Sequence, residues 1–135
     1  MSSLGSEALQ IKINTNVTAT IGDTNVELWC SYTKDVGKNF FYIKMEARNK
    51  TSEETLQIAT FYPPEFNREA DLTGKYLTGR VSLTNPTNES HRAILTFNQI
   101  QCVDDTDYIC IISYDTNQKP PTTDSNSTSI TVRSK

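Results

Sequence analysis

The 135-residue chain has one histidine, one tryptophan, three cysteines and five glycines, and it has no long apolar run. Each shortage excludes something. A membrane span needs about 20 mostly apolar residues, so any membrane attachment must come through a segment absent from this sequence. The start, Met1-Ser-Ser-Leu-Gly-Ser-Glu7, lacks the basic and apolar regions of a signal peptide. The expectation is an ectodomain separated from its leader, its anchor and any neighbouring domains. A histidine-based triad would have to use His91, which has no nucleophile motif such as Gly-x-Ser-x-Gly beside it. His91 therefore reads as a solvated turn residue, and no enzyme is expected. The scattered glycines form no phosphate-binding loop, so no cofactor is expected. The net charge is only -3 and no basic stripe occurs, which leaves nucleic acid without an electrostatic footprint.

Metal sites fare no better. Cys30, Cys102 and Cys110 contain no Cys-x-x-Cys pair, as a zinc site would need. Asp104-Asp-Thr-Asp107 clusters carboxylates, but it lacks the glycine and final glutamate of a calcium loop. One disulfide plus one spare thiol is the simplest reading of three cysteines, and it implies an oxidising compartment. Four Asn-x-Ser/Thr acceptors, at Asn16, Asn49, Asn88 and Asn126, point the same way. In a chain rich in Asn, Ser and Thr some of these arise by chance, so the cysteines are the firmer sign.

What the sequence does have is strands. Short runs rich in β-branched and aromatic residues alternate with clusters of Asn, Asp, Gly, Thr and Pro. They fall near 9–13, 17–21, 25–32, 39–47, 55–61, 80–84, 91–98, 106–114 and 126–133. No stretch keeps a helical period over a dozen residues. The pattern predicts one all-β sandwich over 9–133, with residues 1–8 as a tail outside it.

Two segments are the most informative. In Val26-Glu-Leu-Trp-Cys30-Ser-Tyr32, alternation places Val26, Leu28 and Cys30 on one face. In Leu95-Thr-Phe-Asn-Gln-Ile100-Gln-Cys-Val-Asp104-Asp-Thr-Asp-Tyr108-Ile-Cys110, a corner aspartate and a tyrosine precede the last cysteine by six and two positions. This run resembles the E–F corner of immunoglobulin V-set domains, and the resemblance covers about 9–133. It implies an all-β immunoglobulin V-type sandwich of two antiparallel sheets bridged by Cys30 and Cys110. It implies that Tyr108 bonds back to the corner backbone. It also pairs Arg80, in Gly79-Arg-Val-Ser-Leu83, with Asp104. The nearest kinds of member are the membrane-distal domains of nectin-type adhesion molecules and invertebrate immunoglobulin-superfamily receptors.

The chain departs from that pattern in three places. The strand-C tryptophan is missing from Asn39-Phe-Phe-Tyr42-Ile-Lys44-Met45, and Tyr42 is expected to fill its place. Strand G lacks the Gly-x-Gly of antigen-receptor domains. Cys102 is an extra, read as a buried thiol, a bond to another chain or domain, or a cysteine whose partner lies elsewhere. Trp29 must face away from the core, where packing against the N-terminal strand or Ile94 competes with a partner-anchoring role.

Strand facing also points to a binding surface. With Phe40 and Tyr42 inward, Phe41, Ile43 and Met45 face outward on strand C. With Tyr108, Cys110 and Ile112 inward, Ile109 and Ile111 face outward on strand F. Strand C′ adds Leu56 and Ile58 or, in the other register, Ala59 and Phe61. These residues would form one apolar patch of the size that marks interaction sites. The resemblance implies the same sheet as a binding face. The expected function is extracellular recognition or adhesion, at a cell surface or secreted. The expected partner is a protein, with a like domain in a homophilic dimer as the leading candidate. A secreted immune-recognition domain for a microbial or carbohydrate ligand is the alternative. The 114–124 loop, stiffened by Pro120-Pro121, is a candidate for tuning selectivity.

Overall fold

The computed structural model of the chain describes residues 11–33, 40–115 and 121–135. The tail 1–8 and residues 116–120 of the 114–124 loop lie outside the described residues. Among the described residues ten strands follow in order: β1 (Ile11–Ile13), β2 (Val17–Thr20), β3 (Val26–Tyr32), β4 (Phe40–Arg48), β5 (Thr55–Phe61), β6 (Asp71–Leu72), β7 (Val81–Thr84), β8 (Arg92–Phe97), β9 (Thr106–Tyr114) and β10 (Thr122–Arg133). They build a four-stranded sheet, β1-β3-β8-β7, and a six-stranded sheet, β2-β10-β9-β4-β5-β6. All neighbours are antiparallel except β2 and β10, which run parallel. The strands β5 and β6 beside β4 are the variable-type addition to the sandwich. Only β6, two residues long, is too short to show in the sequence pattern.

Alternation in the sequence becomes the core directly. Leu28, Cys30 and Tyr32 of β3 point inward, as do Ala93, Leu95 and Phe97 of β8, and all are buried. From the other sheet Tyr108, Cys110 and Ile112 of β9 meet them. The Cys30–Cys110 disulfide joins the two layers, as expected. Ile100 closes the end of the core: its N–H donates to the Asp23 carbonyl, and its own carbonyl accepts from Gly22 N–H. The N-terminal segment changes sheets between β1 and β2, turning at Asn16, whose φ is +45°. Asn14 anchors one side of the crossing. Its Nδ2 donates to the Glu27 carbonyl, and its Oδ1 accepts the Trp29 N–H. On the other side Asn16 N–H donates to Thr128 Oγ1.

Strand β4 corrects the predicted facing. The pairing of β4 with β9 shifts by one residue between Phe40 and Tyr42. Phe40 is inward and buried as predicted, but the bulge at Phe41 inverts every position after it. Ile43 and Met45, expected outward, are 0% and 1% exposed. They pair in register with Ile112 and Cys110, so an isoleucine and a methionine lie beside the disulfide where antibody domains carry an indole. Tyr42, expected inward, is half-buried on the outer face. Ile58 is also in the core, because a second bulge, between Met45 and Glu46, falls opposite it in the β4–β5 pairing. Of the two registers open for β5, the one that puts Ala59 and Phe61 outward is excluded, since both are fully buried.

Ile58 also explains Gly74. A Cβ on Gly74 would come within 2.8 Å of Ile58 Cγ2 and 3.1 Å of the Ile58 Cα. The contact is with backbone as well as side chain, so rotamer change alone cannot relieve it. The backbone N–H groups of Thr73 and Gly74 both donate to the Ile58 carbonyl, which fixes the approach. Gly74→Ala should therefore destabilise the fold by about 1–3 kcal/mol, the usual cost of overpacking. Urea unfolding against wild type measures it, and an unchanged midpoint would mean that the turn yields freely.

Candidate functional site

The register of the six-stranded sheet arranges its outer face in rows. One row runs Ser125, Ile111, Lys44, Thr60. The next runs Ser127, Ile109, Glu46, Gln57. Above the first lie Thr123, Ser113 and Tyr42, and below the second lie Ser129, Asp107, Arg48 and Thr55. Ile109 and Ile111 are half-buried at the centre. Lys44 Nζ sits 4.9 Å from the centroid of the Tyr42 ring, a cation–π contact that holds the ammonium on this face. Serines line the β10 side, so nothing bulky shields the two isoleucines there.

The face is narrower and more polar than the patch predicted from the sequence. Ile109 and Ile111 lie on it. Phe41 is half-buried at the bulge, at the upper edge. Ile43, Met45 and Ile58 are in the core and can touch no partner. Leu56 is 51% exposed but pairs with Ala47 on the inner side of the sheet. There it lines an open cleft at one end of the sandwich with Tyr76, Val103 and Thr106. Sequence reasoning missed Tyr42, Lys44 and Glu46. A bulge at a pair of adjacent phenylalanines leaves no mark in composition, and no other signal could have found it.

The E–F corner is a scaffold beside this face. Arg80 Nη2 donates to Asp104 Oδ2 over 2.6 Å, and the Asp104 side chain is fully buried. The same oxygen accepts the Gln101 N–H. Tyr108 donates its hydroxyl proton to the Asp104 carbonyl at 2.9 Å, and burial pushes that hydroxyl above the usual tyrosine range. The neighbouring carboxylates are each engaged separately. Asp105 pairs with Lys50 at 2.8 Å and accepts the Val132 N–H. The bond from Lys50, then that from Val132, holds its carboxyl below the usual range. Asp107 accepts from Ser129 Oγ and lies 3.7 Å from Arg48. The acidic run is thus divided among three cations, and among the described residues no group of carboxylates, histidines or cysteines could hold a metal ion.

Other singled-out residues also find their places. Cys102 is exposed and unpaired, which corrects the reading of a buried thiol. It starts the short turn Cys102–Asp104, whose inward position is taken by Asp104. His91 is not a freely solvated residue, since its ring stacks on Tyr32 at 5.0 Å. Trp29 is half-buried on the four-stranded sheet, opposite Ile94, with the Arg92 guanidinium 3.9 Å above its ring. Asn16, Asn49, Asn88 and Asn126 are all exposed. None belongs to the outer rows. Asn126 lies between Ser125 and Ser127 on the inward side of β10, and its Nδ2 reaches the Ile11 carbonyl.

No protein-family model and no curated protein matches the chain. Solved structures do. A structure of murine CRIg is 17% identical, with a TM-score of 0.76 over 93% of this chain and 98% of that one. A chain from a structure on T cell specificity and activation by the bacterial superantigen toxic shock syndrome toxin-1 is 14% identical. Its TM-score is 0.73 over 93% of this chain and 99% of that one. At such identity the likeness concerns the backbone alone. Strand order, the inter-sheet disulfide and these structures together establish an all-β, immunoglobulin V-type fold for the chain.

Proposed function

We propose that the chain is an extracellular recognition domain that binds another protein through the outer face of β9, β4 and β5. The observation that carries this reading is the pair of isoleucines, Ile109 and Ile111, presented side by side on a sheet face. Apolar side chains at the centre with polar and charged residues around them is the anatomy of a protein interface. Asn49 follows β4 directly and lines a shallow hollow with Arg48 and Asp107 at the lower end of the face, so a glycan there would frame the face or cover part of it. The disulfide supports an oxidising, extracellular setting. Among the described residues no helix is long and apolar enough to cross a membrane.

The test displays the domain as a tetramer and measures its binding to cells, comparing two charge insertions. Ile111→Glu alters the outer face of the six-stranded sheet, and Ile94→Glu alters the outer face of the other sheet. Both sites are half-buried, so neither opens the core. Binding should fall about tenfold or more for Ile111→Glu, the loss of one central apolar contact, and stay near wild type for Ile94→Glu. Equal losses, or a loss for Ile94→Glu alone, would place recognition elsewhere.

A further inference from the structure

The rows of the outer face have a property that their composition does not show: they are complementary to their own reverse. Down β4 the outward side chains run Tyr42, Lys44, Glu46, Arg48; read backwards, an aromatic meets a guanidinium and a lysine meets a glutamate. Beside them on β9, Ile111 meets Ile109. A twofold interface brings one surface patch against itself, so only a patch with this property forms one without like charges in contact.

We propose that the partner of this face is a second copy of the chain. The two copies are related by a twofold axis that crosses the strands between the Lys44 and Glu46 rows. Each Lys44 then meets Glu46 of the second copy, twice by symmetry, and on the neighbouring β9 column Ile111 packs on Ile109 of the second copy, beside the two ion pairs. The alternative axis, parallel to the strands, would reflect the columns. It would set Lys44 and Glu46 over isoleucine or serine, leaving charges without partners at the centre, which is costly. The Lys44–Tyr42 contact holds the ammonium on the face before association, so little ordering remains to be done on binding. On β10 only serines, Ser125 and Ser127, face the second copy, and they let the β9 strands approach. The inference rests on reading this face as the binding surface and adds the identity and register of the partner.

The experiment is sedimentation equilibrium at low salt over a wide concentration range, with Cys102→Ser throughout so that no disulfide can link copies. Wild type should show a reversible monomer–dimer equilibrium. Lys44→Glu and Glu46→Lys should each weaken it about tenfold or more, since each replaces two attractions by two repulsions. An equimolar mixture of the two variants should recover the dimer, because each supplies the charge that the other lacks. Ile111→Glu should abolish dimers in every combination. A dimer insensitive to both reversals, or a mixture no better than its components, overturns the register. A wild type that stays monomeric at millimolar concentration overturns the homophilic partner. In that case the cell-binding comparison of Ile111→Glu with Ile94→Glu decides independently whether the face binds something else.

Discussion

Replacing Cys30 and Cys110 together by alanine is expected to remove about 4–5 kcal/mol of stability. The disulfide closes a loop of 80 residues, and in the chain-entropy model a loop of that length costs the unfolded state roughly that much freedom. Net stabilities of domains this size are about 5–15 kcal/mol, so the loss takes from about a quarter of the total to nearly all of it. Both cysteines are fully buried, and alanine leaves small gaps beside Met45 and Ile43 that add to the loss. Urea titration reads the effect twice. The midpoint should drop steeply, and the slope should rise, because an unlinked chain exposes more surface on unfolding. A loss under about 1 kcal/mol would mean that the unfolded chain is already held compact by other contacts.

The second large effect belongs to the corner. Asp104→Ala is expected to cost about 3–5 kcal/mol, because it leaves the mostly buried Arg80 guanidinium without its carboxylate and the Gln101 N–H without its acceptor. Arg80→Met should cost a similar amount, since it strands the fully buried Asp104 carboxylate. The two losses should not add. Removing both charges together with apolar replacements should recover much of the stability, as buried pairs generally allow. Tyr108→Phe is the control within the same corner. It deletes one hydrogen bond, to the Asp104 carbonyl, and should cost about 1 kcal/mol. Equilibrium unfolding of the four variants gives the coupling energy directly. Additive losses would show that the pair is not the corner's main constraint.

These two features were also the most legible in the sequence, for a common reason. Both were implied by the resemblance to the V-set corner, because the cysteines, the corner aspartate and tyrosine and the strand-D arginine stand at that pattern's positions here. Facing on β3, β8 and β9 was equally readable, because those strands alternate without interruption. β4 was not. Phe40 and Phe41 are interchangeable to any pattern based on hydrophobicity, yet the bulge at Phe41 decides which way the next five residues point. Ile43 and Met45 therefore went to the core, and Tyr42, Lys44 and Glu46 took the surface; Ile58 went to the core through the second bulge, between Met45 and Glu46. Leu56 eluded the pattern for another reason: it faces inward at the open end of the sandwich, where the second sheet does not cover it. Alternation tells which side a residue is on but not where a sheet runs out.

The four edge strands, β1, β2, β6 and β7, are only two to four residues long, while the inner ones run from six to twelve. A long bare edge is a template on which another chain can add itself as one more strand, and end-to-end growth into fibres follows. The short strands do not cover the whole of the longer ones, however: β2 pairs only with residues 130–133 of β10, so among the described residues 122–129 has no strand on its other side. At that open stretch a second chain has a row of backbone groups to add to, whereas at the two-to-four-residue edges contact between copies is left to side chains.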